Sequence, residues 1–233
     1  MQKIYKIFSR VIPFFFLVDV HADTIDKNLE LHTFIDKPLI HSSRNEEKVT
    51  IKGDKSSVSK EFEFLIKNPE VTIKFDNSLI NIKSKTAIYK SDKNIIEFYE
   101  GANLSGNAKD NDINIKSDEI IMDLSKKNMT SKKRVEGDLN QITINSEGMN
   151  ISNAKDGIHG EFINANFIVR NGSSKDYGTS ERLIISSKDS TMSLEGKASL
   201  HLDDFRIKSD SIRYDYRQNK VLKSINSKIE SVQ

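Results

Sequence analysis

The residues that could do chemistry are few and scattered. Beyond the first 22 residues the histidines are His32, His41, His159 and His201, and no two stand at a ligand spacing such as H-E-x-x-H, which would put both imidazoles on one helix face. Asp203 and Asp204 are adjacent carboxylates. On a strand their side chains would face opposite ways, so they make a poor acid/base pair and read as a tight turn between strands. Asp110, Asn111 and Asp112 form the equivalent turn before Ile113, and the spacing of an EF-hand calcium loop is absent. With no Cys, disulfides and thiolate zinc sites are excluded. Four Asn-x-Ser/Thr triplets, at Asn103, Asn128, Asn150 and Asn171, are expected by chance in a chain so rich in Asn and Ser. The sequence has no P-loop, no dinucleotide fingerprint and no Gly-x-Ser-x-Gly. The reading is therefore no enzyme, no cofactor and no metal.

What the chain has instead is a repeat. An apolar residue, any residue, Ile, a polar residue, Ser or Gly, then a charge recurs as Val49-Thr-Ile51-Lys-Gly53-Asp54, Ile80-Asn-Ile82-Lys-Ser84-Lys85, Ile113-Asn-Ile115-Lys-Ser117-Asp118, Ile142-Thr-Ile144-Asn-Ser146-Glu147 and Phe205-Arg-Ile207-Lys-Ser209-Asp210. From Ile51 to Ile82, Ile115, Ile144 and Ile207 the steps are 31, 33, 29 and 63 residues, the last being two units. A period in this range signals stacked supersecondary units sharing one elongated core. Five residues after each Ile stand Ser56, Ala87, Ile120, Met149 and Ile212, and seven after stand Val58, Tyr89, Met122, Ile151 and Tyr214. Side chains on a strand alternate with period two. The change from even to odd offsets demands one extra residue, so the spacing predicts a bulge or corner at the Ser/Gly and charged positions. Each unit is strand, corner, strand.

Composition agrees with an elongated all-β molecule. The chain has 233 residues with 36% hydrophobic and 30% charged content, a thin supply for a compact core. Residues 1–22 read as a secretory leader: Lys3, Lys6 and Arg10, a short apolar run, then Val20-His21-Ala22 at the cleavage site. The run is shorter than the roughly 20 apolar residues of a spanning helix. The leader accounts for the chain's whole net charge of +2, and the remaining Lys alternates with Asp and Glu, which excludes a nucleic-acid footprint. Residues 23–45 lack the repeat, carry Pro38 and read as a lead-in with an edge strand near Leu39; the repeat array covers 46–233. Asn68-Pro69 and Asp76-Asn77 mark turns, and the polar stretch Asn171–Ser180 reads as a loop or hinge where one phrase is missing.

The inward stripes are either the core of closed sheets or the lining of a dry groove; the pattern leaves both open.

The series resembles the periplasmic lipopolysaccharide-transport proteins of the LptA/LptC (OstA-like) family. Met192-Ser-Leu-Glu-Gly-Lys-Ala-Ser-Leu200 followed by Phe205-Arg-Ile-Lys-Ser-Asp-Ser-Ile-Arg-Tyr-Asp215 matches that family's unit, and Ile96–Leu104 with Ile113–Asp123 repeats it. The resemblance implies a twisted, V-shaped antiparallel β-jelly roll built from repeats of about 30 residues. Its interior would shield the acyl chains of lipid A. The lipid path would be lined by Ile51, Phe64, Ile73, Ile80, Ile82, Tyr89, Phe98, Ile113, Ile115, Ile120, Met122, Ile142, Ile144, Met149, Phe162, Leu194, Leu200, Phe205, Ile207, Ile212 and Tyr214. The first and last strands would pair with other transport components or head-to-tail with further copies. A soluble LptA-type bridge in the periplasm is the first reading. Gly137 through Phe162 is closer to LptC-like sequences, and the chain is longer than one unit of either kind, so a membrane-associated LptC-type component is the alternative, beside a purely structural β array.

Overall fold

Among the described residues, twenty strands form one continuous antiparallel sheet that folds over on itself. The computed structural model describes residues 33–231 apart from 45–46, 60–62, 76–77, 109–110, 155–156 and 173. The leader, His32, the Asp76-Asn77 turn and Asp110 lie outside the described residues. The first ten strands are β1 (Thr33–Asp36), β2 (Leu39–Arg44), β3 (Glu47–Lys52), β4 (Lys55–Val58), β5 (Glu63–Lys67), β6 (Glu70–Phe75), β7 (Ser78–Lys83), β8 (Thr86–Lys90), β9 (Ile95–Ala108) and β10 (Asn111–Asp123). The second ten are β11 (Asn128–Ser131), β12 (Val135–Leu139), β13 (Ile142–Ser146), β14 (Gly148–Ala154), β15 (Gly157–Asn171), β16 (Ser174–Ser186), β17 (Thr191–Leu202), β18 (Phe205–Asp215), β19 (Lys220–Ile225) and β20 (Lys228–Ser231).

The pairings sort into two layers. One runs β1-β4-β5-β8, the first half of β9, the second half of β10, then β11-β14. It goes on through the first half of β15, the second of β16, the first of β17 and the second of β18 to β19. The other runs β2-β3-β6-β7, the second half of β9, the first of β10, then β12-β13. It continues through the remaining halves of β15 to β18 and ends on β20. Each long strand therefore belongs to both layers and turns a corner between them. Inward rows from both layers join in a single apolar cluster reaching from Ile40 to Tyr216.

Every copy of the phrase ends in such a corner. β3 gives way to β4 at Gly53-Asp54, β7 to β8 at Ser84-Lys85 and β13 to β14 at Glu147. In β10 the register slips between Ser117 and Glu119, and β18 changes partner from β20 to β19 around Ser209-Asp210. The Ser supplies the bonds that the broken ladder loses. Ser84, Ser146 and Ser209 donate to the carbonyl two residues on, at 2.8, 3.1 and 2.8 Å. A short hydroxyl reaching its own backbone in this way is a local alternative to the ladder bond. Ser117 donates to the Arg134 carbonyl at 3.0 Å and lies 2.9 Å from the Ser131 hydroxyl, tying the β10 corner to the one between β11 and β12. Strands crossing the opposite way use left-handed backbone instead. Their corners hold Asn68, Glu100-Gly101, Asn164 and Gly196-Lys197, all at positive φ. Gly101, at φ 84°, is where an L side chain would be strained.

Two expectations change. Asn171–Ser180 is not a loop: β15 and β16 pair up to Asn171 and Ser174, so the stretch is a tight hairpin. Its strand half is polar yet alternates, with Asp176, Gly178 and Ser180 inward and Lys175, Tyr177 and Thr179 outward. Nor is a phrase missing. Asp176-Tyr-Gly178-Thr-Ser180-Glu181 occupies the same corner, with Leu183 and Ile185 inward beyond it. Counted on Gly178, it divides the 63-residue step into 34 and 29. Among the described residues strand pairing starts with Thr33, ahead of the stretch where alternation becomes strong.

Candidate functional site

The candidate site is the inner surface shared by the two layers. Ile80, Ile82, Phe98, Ile120, Leu194, Leu200, Ile212 and Tyr214 have no exposed surface. Ile51, Ile73, Tyr89, Ile113, Ile115, Met122, Ile142, Ile144, Met149 and Phe162 are buried as well, as are Phe64 and Ile207 with a sliver of surface left open. Phe205 is the correction: it is in phase with Ile207 but 52% exposed, because it stands at the end of the hairpin beside the Asp203-Asp204 turn. Ile66, Val71, Ile96, Leu104, Leu183, Met192 and Val169 share the interior. Their alternation with polar neighbours was visible, but they fall outside the phrase.

The interior is closed in this structure. The two clearest concavities, about 350 and 220 Å³, lie on the outside along the corners. The larger is lined by Ser131, Lys132, Gly148 and Ile163 with Met149 at its floor, and the smaller by Asn164 to Asn166 and Thr179 to Glu181. A path between the layers therefore exists only when they part. The corners join them along one edge, and the hairpin turns form the opposite, free edge.

Polar groups cross that free edge toward the C-terminal end. Asp176, buried on β16, accepts a hydrogen bond from the hydroxyl of Tyr214 on β18 in the facing layer. Asn219 Oδ1 lies 3.1 Å from the same hydroxyl. The Asn171 amide donates to the Tyr216 carbonyl at 2.6 Å and to the Asn219 side chain. Burial pushes the Asp176 carboxyl up, and the Tyr214 bond partly offsets this. Burial and then Asp176 push the Tyr214 hydroxyl far above its ordinary range. At the N-terminal end Tyr89 holds the same repeat position. Its hydroxyl is buried without a well-formed hydrogen bond, and Ser42 of the facing layer is close enough to offset part of the desolvation. Midway, the Lys127 ammonium sits 5.6 Å from the ring centre of Phe75.

The outer faces are solvated ladders. Arg182 bridges Glu161 and Glu195 at 2.6 and 2.8 Å, in the open, where such pairs contribute little. Among the described residues no three His, Asp or Glu gather as a metal site, and no helix is long and apolar enough to cross a membrane. Among the described residues the sheet has free edges at both ends, on β1 and β2 and on β19 and β20. Phe34 and Leu39 are exposed at the first end, and Leu222, Ile225 and Ile229 at the second. Exposed apolar groups on unpaired edges are a template for another strand.

Similarity to known proteins follows the same geometry. The family of LptC-related lipopolysaccharide-assembly proteins matches residues 46–159. The family of LptA and LptD N-terminal domain lipopolysaccharide-transport proteins matches residues 114–220. Together they span 46–220, so over that stretch the chain carries LptC-related and LptA-type lipopolysaccharide-transport domains. Among solved structures, LptH, the LptA-homologous periplasmic component of the lipopolysaccharide transport device of Pseudomonas aeruginosa, aligns at TM-score 0.46 and 11% identity over 52% of this chain and 94% of that one. No curated protein matches the sequence.

Proposed function

We propose that this protein carries lipopolysaccharide across the periplasm with the acyl chains held between its two layers. The observation that supports this best is the continuity of the interior. One apolar cluster runs the length of the array, from Ile40 and Val49 to Ile207 and Tyr216. In the closed state side chains of the layers pack on each other. When the layers part about the corners, acyl chains replace those contacts and the saccharide stays outside the free edge. The LptC-type match lies toward the N-terminus and the LptA-type match toward the C-terminus, so we place both kinds of unit along one path in one chain. The exposed edges at the two ends would add strands from other transport components, or from further copies head to tail. The leader read in residues 1–22 would deliver the chain to the periplasm.

A structural array with a permanently filled core is the competing reading, favoured by the burial of every stripe residue except Phe205. Ligand competition separates them. Purified protein should retain labelled lipopolysaccharide, free lipid A should displace it, and deacylated lipopolysaccharide at the same concentration should not. Equal displacement by the deacylated form, or no retention, refutes an acyl path.

A further inference from the structure

Asp176 is the one buried carboxylate among the described residues. Its counterparts in the other copies are Val49, Ile80, Ile113, Ile142 and Phe205, so it interrupts an apolar row with a charge-bearing group. It also lies beside the β15–β16 turn, and its partner Tyr214 lies beside the β18–β19 turn. Their bond therefore crosses the gap between layers at the free edge, opposite the corners. Asn171, on the hairpin, adds a second link to the Tyr216 carbonyl and Asn219 in the facing turn. Toward this end, then, the layers are fastened on both sides, by covalent corners on one and by hydrogen bonds on the other.

An amphiphile with its acyl chains inside and its saccharide outside must cross the free edge covalently. It can slide along an edge that is open, but it cannot slide past a point where the layers are bonded to each other. From this we infer that Asp176–Tyr214 and Asn171–Asn219 form a latch that opens each time a lipid passes between the N-terminal and C-terminal parts of the interior. This rests on the acyl path proposed above. Hydrogen bonds suit the task because they are directional when closed, and a saccharide's hydroxyls can take over the released partners when open.

The chain has no Cys, so Asn171→Cys with Asn219→Cys introduces the only thiols. A short bismaleimide closes the pair if oxidation does not. Photo-crosslinkers at Ile82 and, in a separate protein, at Leu200, which stands on β17 between the two strands that the latch joins, then report lipopolysaccharide ahead of the latch and within it during export in cells. With the pair open, both positions should form adducts. With it closed, the Ile82 adduct should persist and the Leu200 adduct should fall at least tenfold, returning on reduction of the disulfide. Equal Leu200 adducts in the closed and open states overturn the latch while leaving the acyl path intact. Absence of adducts at both positions in both states overturns the path and the latch with it.

Discussion

Tyr214→Phe should lower stability by about 3 kcal/mol at neutral pH, because it leaves a buried carboxylate without its donor. The change removes one oxygen and no apolar volume, so packing should survive. The loss should shrink as the solution is made acidic. Burial already raises the Asp176 pKa in the folded protein, and the Tyr214 hydrogen bond is what pulls it back. Without that bond the folded pKa rises further above the unfolded value of about 4. A carboxyl whose folded pKa is raised contributes stability that is present below the unfolded pKa and is lost as pH rises through the folded one. The variant should therefore lose stability over a wider stretch of pH than the parent, and the two should converge toward pH 4. Urea denaturation of both proteins at a series of pH values measures this. A deficit that does not change with pH would mean that Asp176 is not the group left unpaired.

Gly178→Ile should be the most damaging single change, although it restores the residue that every other copy of the phrase carries there. A Cβ at Gly178 would stand 2.3 Å from the Ser199 carbonyl oxygen and 2.7 Å from the Phe167 ring. Phe167, paired directly with Gly178, has taken the space that Ile occupies elsewhere. The ring could move, but the Ser199 backbone belongs to the neighbouring strand and cannot move without breaking its ladder. Overpacking a core costs about 1–3 kcal/mol, and a clash with backbone belongs at or beyond the upper end. Loss of the cooperative thermal transition, or a midpoint lowered by well over ten degrees, is the expected result. Near-parental melting would show that β16 and β17 can separate locally, and would weaken the account of a rigid corner.

These two residues also explain what the sequence hid. The phrase at Ile51, Ile82, Ile115, Ile144 and Ile207 disclosed strand, corner and strand, because five copies share an apolar pair before the Ser or Gly and a shifted apolar phase after it. The copy at Gly178 kept Ser180, Glu181, Leu183 and Ile185 but replaced both inward apolar residues with Asp and Gly. A polar hairpin with Gly172 at its turn then reads as a loop. Aligning on the Ser and charged pair rather than on Ile would have found it. The corner chemistry was half legible: the extra residue was demanded by the phase shift, but the reach of Ser84, Ser146 and Ser209 to backbone two residues on depends on geometry that no spacing encodes. Phe205 has the right phase and the wrong exposure, because phase says which face a residue takes and not whether anything covers it. The cross-layer bond of Asp176 to Tyr214 joins residues 38 positions apart in sequence, on separate layers. Only the fold brings them together.

An acyl path requires that the inward stripe contact lipid. A photo-crosslinker at Ile115, which faces in, compared with one at Lys116, which is exposed on the opposite face of the same strand, tests it most directly in cells exporting lipopolysaccharide. Adducts at Ile115 and none above background at Lys116 are the predicted result. Equal adducts at both positions, or adducts at Lys116 alone, would contradict it.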